Sequence, residues 1–184
     1  MIKKVDILGI QLDNYTVREA IMCVERYLSN NVLNTIESIS LQMLIDSETN
    51  PVLKEVMSSL DLAIIGEKEI IQAAGLESMQ RIRETEENDF YFEFFKRIER
   101  NKKSVFLLGD TQEKIDSLKA ELAEDYPKLI FAGEYAVETC VGDLEAVIND
   151  MNATTPDVII SVLPSPMQEQ FLYEHRDKMN ANIW

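Results

Sequence analysis

Residues 156–176, PDVIISVLPSPMQEQFLYEHR, run from an apolar strand through a proline-rich turn into a helix. The strand, 158–162, has the near-continuous apolar character of a strand covered on both faces. Ser165 reads as the helix N-cap and Pro166 as its first residue. Gln168 then stands where a capping box places the reciprocal partner of Ser165. The same order recurs upstream. Residues 104–108 read as a strand, Gly109-Asp110 as a tight turn, and Asp110 with Glu113 as the capping box of a helix reaching Asp125. A strand at 129–132 and helices at 142–151 and 165–178 complete the pattern. Strands alternating with helices build βαβ units, right-handed crossovers and a parallel sheet. The expected fold is therefore α/β: Rossmann-like layers with a largely parallel sheet flanked by helices. The chain of 184 residues suits one domain across 1–184. In such a domain ligands bind beyond the carboxyl ends of the strands, and the free amides of a helix start there favour an anion.

The first half is less regular. Residues 6–12 suggest a short strand or hairpin arm, with Asp13-Asn14 as a turn. Thr16-Val17-Arg18-Glu19 is a capping box, opening a helix whose apolar face is Val17, Ala20, Ile21, Val24 and Leu28. A strand is expected at 32–36, helices at 40–47 and from Asn50-Pro51 to Leu60, and a buried strand at 62–65 ending at Gly66. A helix at 67–74 stops at Gly75. Residues 77–89, ESMQRIRETEEND, are the most polar stretch and lack periodicity, so they read as an exposed loop. Asp89 then caps a helix whose Phe90, Phe94, Phe95 and Ile98 form a core-facing stripe.

Charge and residue types exclude several functions. The formal net charge of -15 opposes non-specific nucleic-acid binding and adhesion to an anionic membrane face through charge alone. No stretch approaches the ~20 apolar residues of a membrane span. Asp6 and Gly9 interrupt the N-terminal apolar run, so it does not read as a signal peptide. Cys23 and Cys140 form no CxxC pair and read as free thiols of a cytoplasmic protein. The one histidine, His175, stands between Glu174 and Arg176 and reads as a surface residue, which excludes a His dyad. With no DxD motif and no His cluster, neither a metal nor another cofactor is expected.

Four segments, in order and at matching spacing, resemble the WecG/TagA/CpsF family of bacterial glycosyltransferases. DILGIQLDNYTVREAI is similar to the family's opening strand and D-N-x-T. LDLAII is similar to its strand leading to a P-D-G turn. VFLLGDTQEKIDSLKAELAEDYPKLIFAG matches its second-half strand and helix, and PDVIISVLPSPMQEQFLYEHRDKMNANIW its last motif. The resemblance covers almost the whole chain. It implies transfer of a hexose-type residue, such as N-acetylmannosamine, from a UDP-sugar to a polyprenyl-diphosphate-linked N-acetylglucosamine, for teichoic acid, enterobacterial antigen or exopolysaccharide. It also implies a nucleotide at the carboxyl edge of the sheet, a carboxylate base for the acceptor hydroxyl, and amides or an Arg for the departing UDP.

The departures from that pattern define the candidate residues. The family's Thr-x-Asn aligns with Thr35-Ile36-Glu37, which exchanges an amide that donates and accepts for a carboxylate that only accepts. Its catalytic Asp falls on Gly66. Glu67, one residue later, is the candidate displaced base, although such a step points a side chain elsewhere, and a helix-start role competes. The substrate-loop Arg falls on Arg81 or Arg83, and spacing does not choose. Gly109 is kept at the second-half turn. The glycine-rich G-L-G becomes Val162-Leu163-Pro164, and the Lys of P-K-Q-E becomes Met167, while Gln168 and Glu169 remain. Family members continue beyond the position of Trp184 with a strand, a glycine-rich turn and a basic appendage suited to a membrane surface.

Two functional readings stand. In one the chain is an active glycosyltransferase: Glu67 or Glu37 is the base, and Thr35, Arg81 or Arg83, and Gln168 hold the sugar nucleotide. In the other it is an impaired homologue that binds a nucleotide-sugar or partners an active glycosyltransferase. The expected location is cytoplasmic, or peripheral at the inner membrane face. Self-association as a homo-oligomer is a further expectation, through an exposed sheet edge.

Overall fold

The computed structural model describes residues 3–76, 78–139 and 144–184, and these gather into two compact units. One comprises the described residues of Met1–Arg26 and Thr35–Phe94; the other comprises those of Tyr27–Asn34 and Phe95–Trp184.

In the first unit, β1 (Lys4–Ile7) and β2 (Ile10–Asp13) form an antiparallel hairpin. Its turn is Leu8-Gly9, both at positive φ (52° and 81°), the twist that a two-residue hairpin needs. The Asp6 carboxylate accepts the Gly9 amide at 3.1 Å. The turn thus lies inside 6–12 and not at Asp13-Asn14. Asp13 closes β2 instead, buried, and accepts the Ala63 amide at 3.0 Å. The Thr16–Glu19 capping box is as expected. Glu19 accepts from the Thr16 amide at 3.0 Å, the Thr16 hydroxyl faces the Glu19 amide at 3.3 Å, and α1 (Val17–Tyr27) follows.

The next strand is β3 (Ile36–Ile39) and not 32–36. Its Glu37 and Ser38 disguise it as polar, while Thr35 is spent on hydrogen bonds at its entry. Ser40 caps α2 (Leu41–Ser47), and Asn50 caps α3 (Pro51–Ser59) with Pro51 at its start. After β4 (Leu62–Ile65) comes α4 (Lys68–Ala73), and Gly75 at φ 66° ends that segment. The sheet order is β1-β2-β4-β3, with β2, β4 and β3 parallel.

Residues 79–86 correct the loop reading: Met79–Glu86 is a helix, α5, capped by Ser78 through the Arg81 amide at 3.4 Å. Its period is hidden because the buried side chains are charged, Arg81 and Glu84. Glu77 lies outside the described residues. Asn88, at φ 54°, precedes α6 (Asp89–Arg100), whose Phe90 and Phe94 are buried with ring centroids 5.8 Å apart.

The second unit has the all-parallel sheet β6-β5-β7, with β5 in the middle. β5 (Ser104–Gly109) is buried from Val105 to Gly109, and α7 (Gln112–Asp125) follows. Thr111, not Asp110, caps α7, accepting the Lys114 amide at 3.4 Å, and Asp110 pairs with the Lys114 ammonium at 2.6 Å. β6 (Ile130–Ala136) is longer than the expected 129–132. α8 is Glu145–Ala153; Cys140 and the helix start expected at Gly142 lie outside the described residues. Ile183 extends the sheet in parallel bridges to Val158 and Asn34, and Trp184 stacks on Phe171 with centroids 5.6 Å apart.

β7 (Val158–Val162) leads to α9 (Met167–His175). The helix starts one residue later than Ser165 as N-cap predicts, at Met167 instead of Pro166. The carbonyls of Pro164 and Pro166 take the Gln168 and Gln170 amides at 3.1 and 3.0 Å. Pro166, after a cis Ser165–Pro166 bond, occupies the N-cap position without a side-chain cap. The capping-box reading of Ser165 and Gln168 therefore does not hold. Nor is His175 on the surface: it is buried against Phe171, with centroids 4.9 Å apart, and neither ring nitrogen has a hydrogen-bond partner. Both units thus carry α/β Rossmann-like layering, as two sheets rather than one.

One clasp of the second unit is pH-dependent. Burial works to raise the Asp157 carboxyl, but the Lys103 ammonium at 2.8 Å and the Ser104 amide at 2.8 Å outweigh it and hold it below the ordinary range. A depressed folded-state value contributes stability above the unfolded value of about 3.9 and loses it as pH falls through the folded value. Asp157→Asn is expected to cost about 1–2 kcal/mol at neutral pH, an amount that shrinks in acid. Urea midpoints of both proteins between neutral pH and pH 3 measure it.

Candidate functional site

The carboxyl ends of β3 and β4 meet at Gly66. Its amide donates to the Ile39 carbonyl at 2.9 Å. A Cβ at position 66 would lie 2.6 Å from Ser38 Oγ and 2.8 Å from the Ile39 carbonyl oxygen. The first atom could rotate away with its side chain; the second is backbone. The position is thus closed to any side chain unless the strands shift.

Beside Gly66 opens a cleft of about 30 Å³, bounded by Ser38 of β3, Arg81 and Glu84 of α5, and Tyr91 of α6. Arg81 is 7% exposed, and its Nη1 lies 3.2 Å from Glu84 Oε2. Glu84 is further fixed by the Gln80 side-chain amide at 2.8 Å and the Val17 amide at 3.3 Å. The buried Nε of Arg81 has no acceptor. Tyr91 keeps 43% of its surface exposed, so it is the phenol end, beside Ser38, that loses water: desolvation there pushes the phenol up, and the Ser38 hydroxyl against it draws it partly back. At neutral pH it is therefore a hydrogen-bond donor.

The other candidates of this unit sit elsewhere. Thr35 is fully buried at the amino end of β3. Its amide and hydroxyl donate to Asp61 at 2.9 and 3.1 Å, tying the entries of β3 and β4 together. Gly66 is at the far end of the same strand pair. Glu37 is buried on β3, close enough for its charge to bear on the Tyr91 phenol. Glu67 turns to α2 and accepts the Leu41 amide at 3.2 Å. Arg83 is on the solvent side of α5, 3.8 Å from Glu87, with 69% of its side chain exposed. Of the two arginines that spacing left open, Arg81 is the one that lines the cleft.

Ser38 and Tyr91 are the cleft residues that sequence reasoning missed. Ser38 sits two positions before a helix cap at a strand's carboxyl end, a signal lost once the strand is placed at 32–36. Tyr91 hides inside an aromatic stripe that reads as core.

In the second unit, Gly109 ends β5, and a Cβ there would meet Ile115 Cγ1 at 2.8 Å and Val162 Cγ2 at 3.1 Å. It is a packing glycine at the carboxyl edge. Gln168 and Glu169 open α9 beyond the carboxyl end of β7. Glu169 is 1% exposed, and neither carboxylate oxygen has a hydrogen-bond partner.

The Glycosyl transferase WecG/TagA/CpsF family matches residues 5–184 of this chain. Among curated proteins, the chain is similar to the N-acetylglucosaminyldiphosphoundecaprenol N-acetyl-beta-D-mannosaminyltransferase of Staphylococcus aureus strain COL. The two are 21% identical over 182 residues, covering 98% of this chain and 71% of the relative. The protein of the same name from strain MRSA252 is likewise 21% identical over 182 residues.

Proposed function

The chain belongs to the WecG/TagA/CpsF family of glycosyl transferases, and from that premise we propose that it works in hexosyl transfer to a lipid-linked sugar. The donor is a UDP-sugar, with N-acetylmannosamine as the transferred residue. The acceptor is a polyprenyl-diphosphate-linked N-acetylglucosamine, and the product serves cell-surface polysaccharide or teichoic acid synthesis. The observation that carries this reading is the family match from residue 5 to residue 184, together with the name of the relatives. Among the described residues no helix is long and apolar enough to cross a membrane. A lipid-linked acceptor then calls for peripheral contact at the inner membrane face. Glu67 or Glu37 serves as the base, and Arg81, which lines the cleft beside Gly66, faces the nucleotide.

A second reading is favoured by Gly66. The position that carries the family's base in the resemblance has no side chain and no room for one. On this reading the chain is a catalytically impaired homologue that binds the nucleotide-sugar or an active partner.

One pair of measurements separates them. Calorimetry with UDP-N-acetylmannosamine is expected to show binding, and a soluble polyprenyl-diphosphate analogue is expected to be glycosylated. Turnover abolished by Glu67→Gln makes Glu67 the base, and turnover unchanged by it rejects that role. Binding without turnover establishes the impaired homologue. Silence at millimolar ligand rejects both sugar-nucleotide readings and leaves an interaction role.

A further inference from the structure

The helix α5 is held down by charge, where its neighbour α6 is held by apolar side chains. The buried residues of α5 are Arg81 and Glu84. Ile82 and Thr85 are half-buried, and Met79 is 81% exposed. α6 instead buries Phe90, Phe94, Phe95 and Ile98. The two helices therefore differ in what detachment costs. Moving phenylalanines into water forfeits their hydrophobic burial. Moving a buried ion pair into water loses the attraction but returns the hydration of both ions, and the two effects nearly cancel. The buried Nε of Arg81, without an acceptor, gains one on reaching water. Among the described residues, the polar ties from α5 to the rest of its unit are the Glu84 carboxylate on the Val17 amide at 3.3 Å and the exposed Lys68–Glu86 pair at 2.6 Å. Residues at positive φ stand on both sides of the helix: Gly75 at 66° and Asn88 at 54°, each exposed. A Cβ at Gly75 would meet nothing within 4 Å, so the chain has room to turn there.

We propose that α5 is a lid, detaching as one unit about Gly75 and Asn88 to open the cleft beside Gly66. Arg81, Glu84 and Thr85 of α5 form one wall of that cleft. With the wall in place the volume is about 30 Å³, far below the ~300–1,000 Å³ of a site that envelops a ligand. Displacing the wall is what makes room. The detachment stands on the packing of α5 alone; its use in ligand entry rests on the reading of the chain as a sugar-nucleotide protein.

Hydrogen exchange of the full chain tests the lid without a ligand. The amides of α5 are expected to be protected about a hundredfold less than those of α6, to share one protection factor, and to exchange almost independently of low urea, because a local opening exposes little surface. Glu84→Gln is expected to speed exchange in α5 about tenfold or more, because the open state lacks the ion pair that the substitution breaks. Protection in α5 equal to that in α6 overturns the lid. So does a gradient of protection from the ends of α5 that Glu84→Gln leaves unchanged, since the helix then frays while docked. Saturating UDP-N-acetylmannosamine is expected to lower the protection of α5 further, because the ligand occupies the space that α5 vacates. Binding that leaves α5 as protected as in the free protein overturns its use in ligand entry. No binding at millimolar ligand takes down the sugar-nucleotide reading and the ligand-entry role with it, while the exchange of the free protein still decides whether α5 detaches.

Discussion

Gly66→Ala is expected to lower the stability of the protein by about 3 kcal/mol, read as a fall in the urea midpoint at unchanged slope. A single methyl is a small change, yet it arrives at 2.6 Å from Ser38 Oγ and 2.8 Å from the Ile39 carbonyl. That carbonyl already holds the Gly66 amide at 2.9 Å, so it cannot recede without breaking the bond that joins the ends of β3 and β4. Removing the hydroxyl in Ser38→Ala/Gly66→Ala relieves the first contact only, and the double variant is expected to recover less than half of the loss. Gly66→Asp is expected to fare worse, because it adds a charge to the same crowded volume beside a buried ion pair. Restoring the family's carboxylate at this position therefore does not restore a base. A Gly66→Asp variant with wild-type stability would show that β3 and β4 separate easily and that the position is open.

The legible parts of this fold are those where local chemistry and tertiary packing agree. The second half was readable because Val105 to Leu108 and Val158 to Ile159 are apolar runs buried in a parallel sheet. Thr16–Glu19 and the Asn50-Pro51 helix start are legible because a cap is a local bond. α5 was not, because its buried face is an ion pair, and burial of Arg81 and Glu84 depends on partners distant in sequence such as Val17. The same cause limited the site. Gly66 was found as a departure from a pattern, but its crowding depends on Ser38 and Ile39 across the sheet. Thr35 is a candidate ligand group only through the resemblance to the family's Thr-x-Asn, and the register Ile36↔Leu62 places it at the entry of the strands, against Asp61. The start of α9 lies one residue beyond the position that Ser165 marks, because Pro164, Ser165 and Pro166 satisfy the compositional rules for a helix start, while the first carbonyls to accept are those of the two prolines.

Removing one member of the Arg81–Glu84 pair is expected to be as damaging as the Gly66 substitution, and removing both much less so. The two side chains are 9% and 10% exposed, so each is desolvated and relies on the other. Glu84→Leu leaves the guanidinium buried with its Nε still without an acceptor and Nη1 newly without one, and also orphans the Val17 amide and the Gln80 side chain. The expected cost is about 3–5 kcal/mol, the range for breaking a buried pair from one side. Arg81→Met alone strands the carboxylate, but Gln80 and the Val17 amide still serve it, so its cost is expected at the lower end of that range. Arg81→Met/Glu84→Leu replaces the pair with apolar volume and is expected within about 1 kcal/mol of wild type. A double-mutant cycle on urea midpoints measures the coupling directly. The cycle also separates stability from function. If Arg81 contributes only to the fold, the double variant binds UDP-N-acetylmannosamine as the wild type does. If it also contacts the sugar nucleotide, the double variant folds normally and binds UDP-N-acetylmannosamine more weakly.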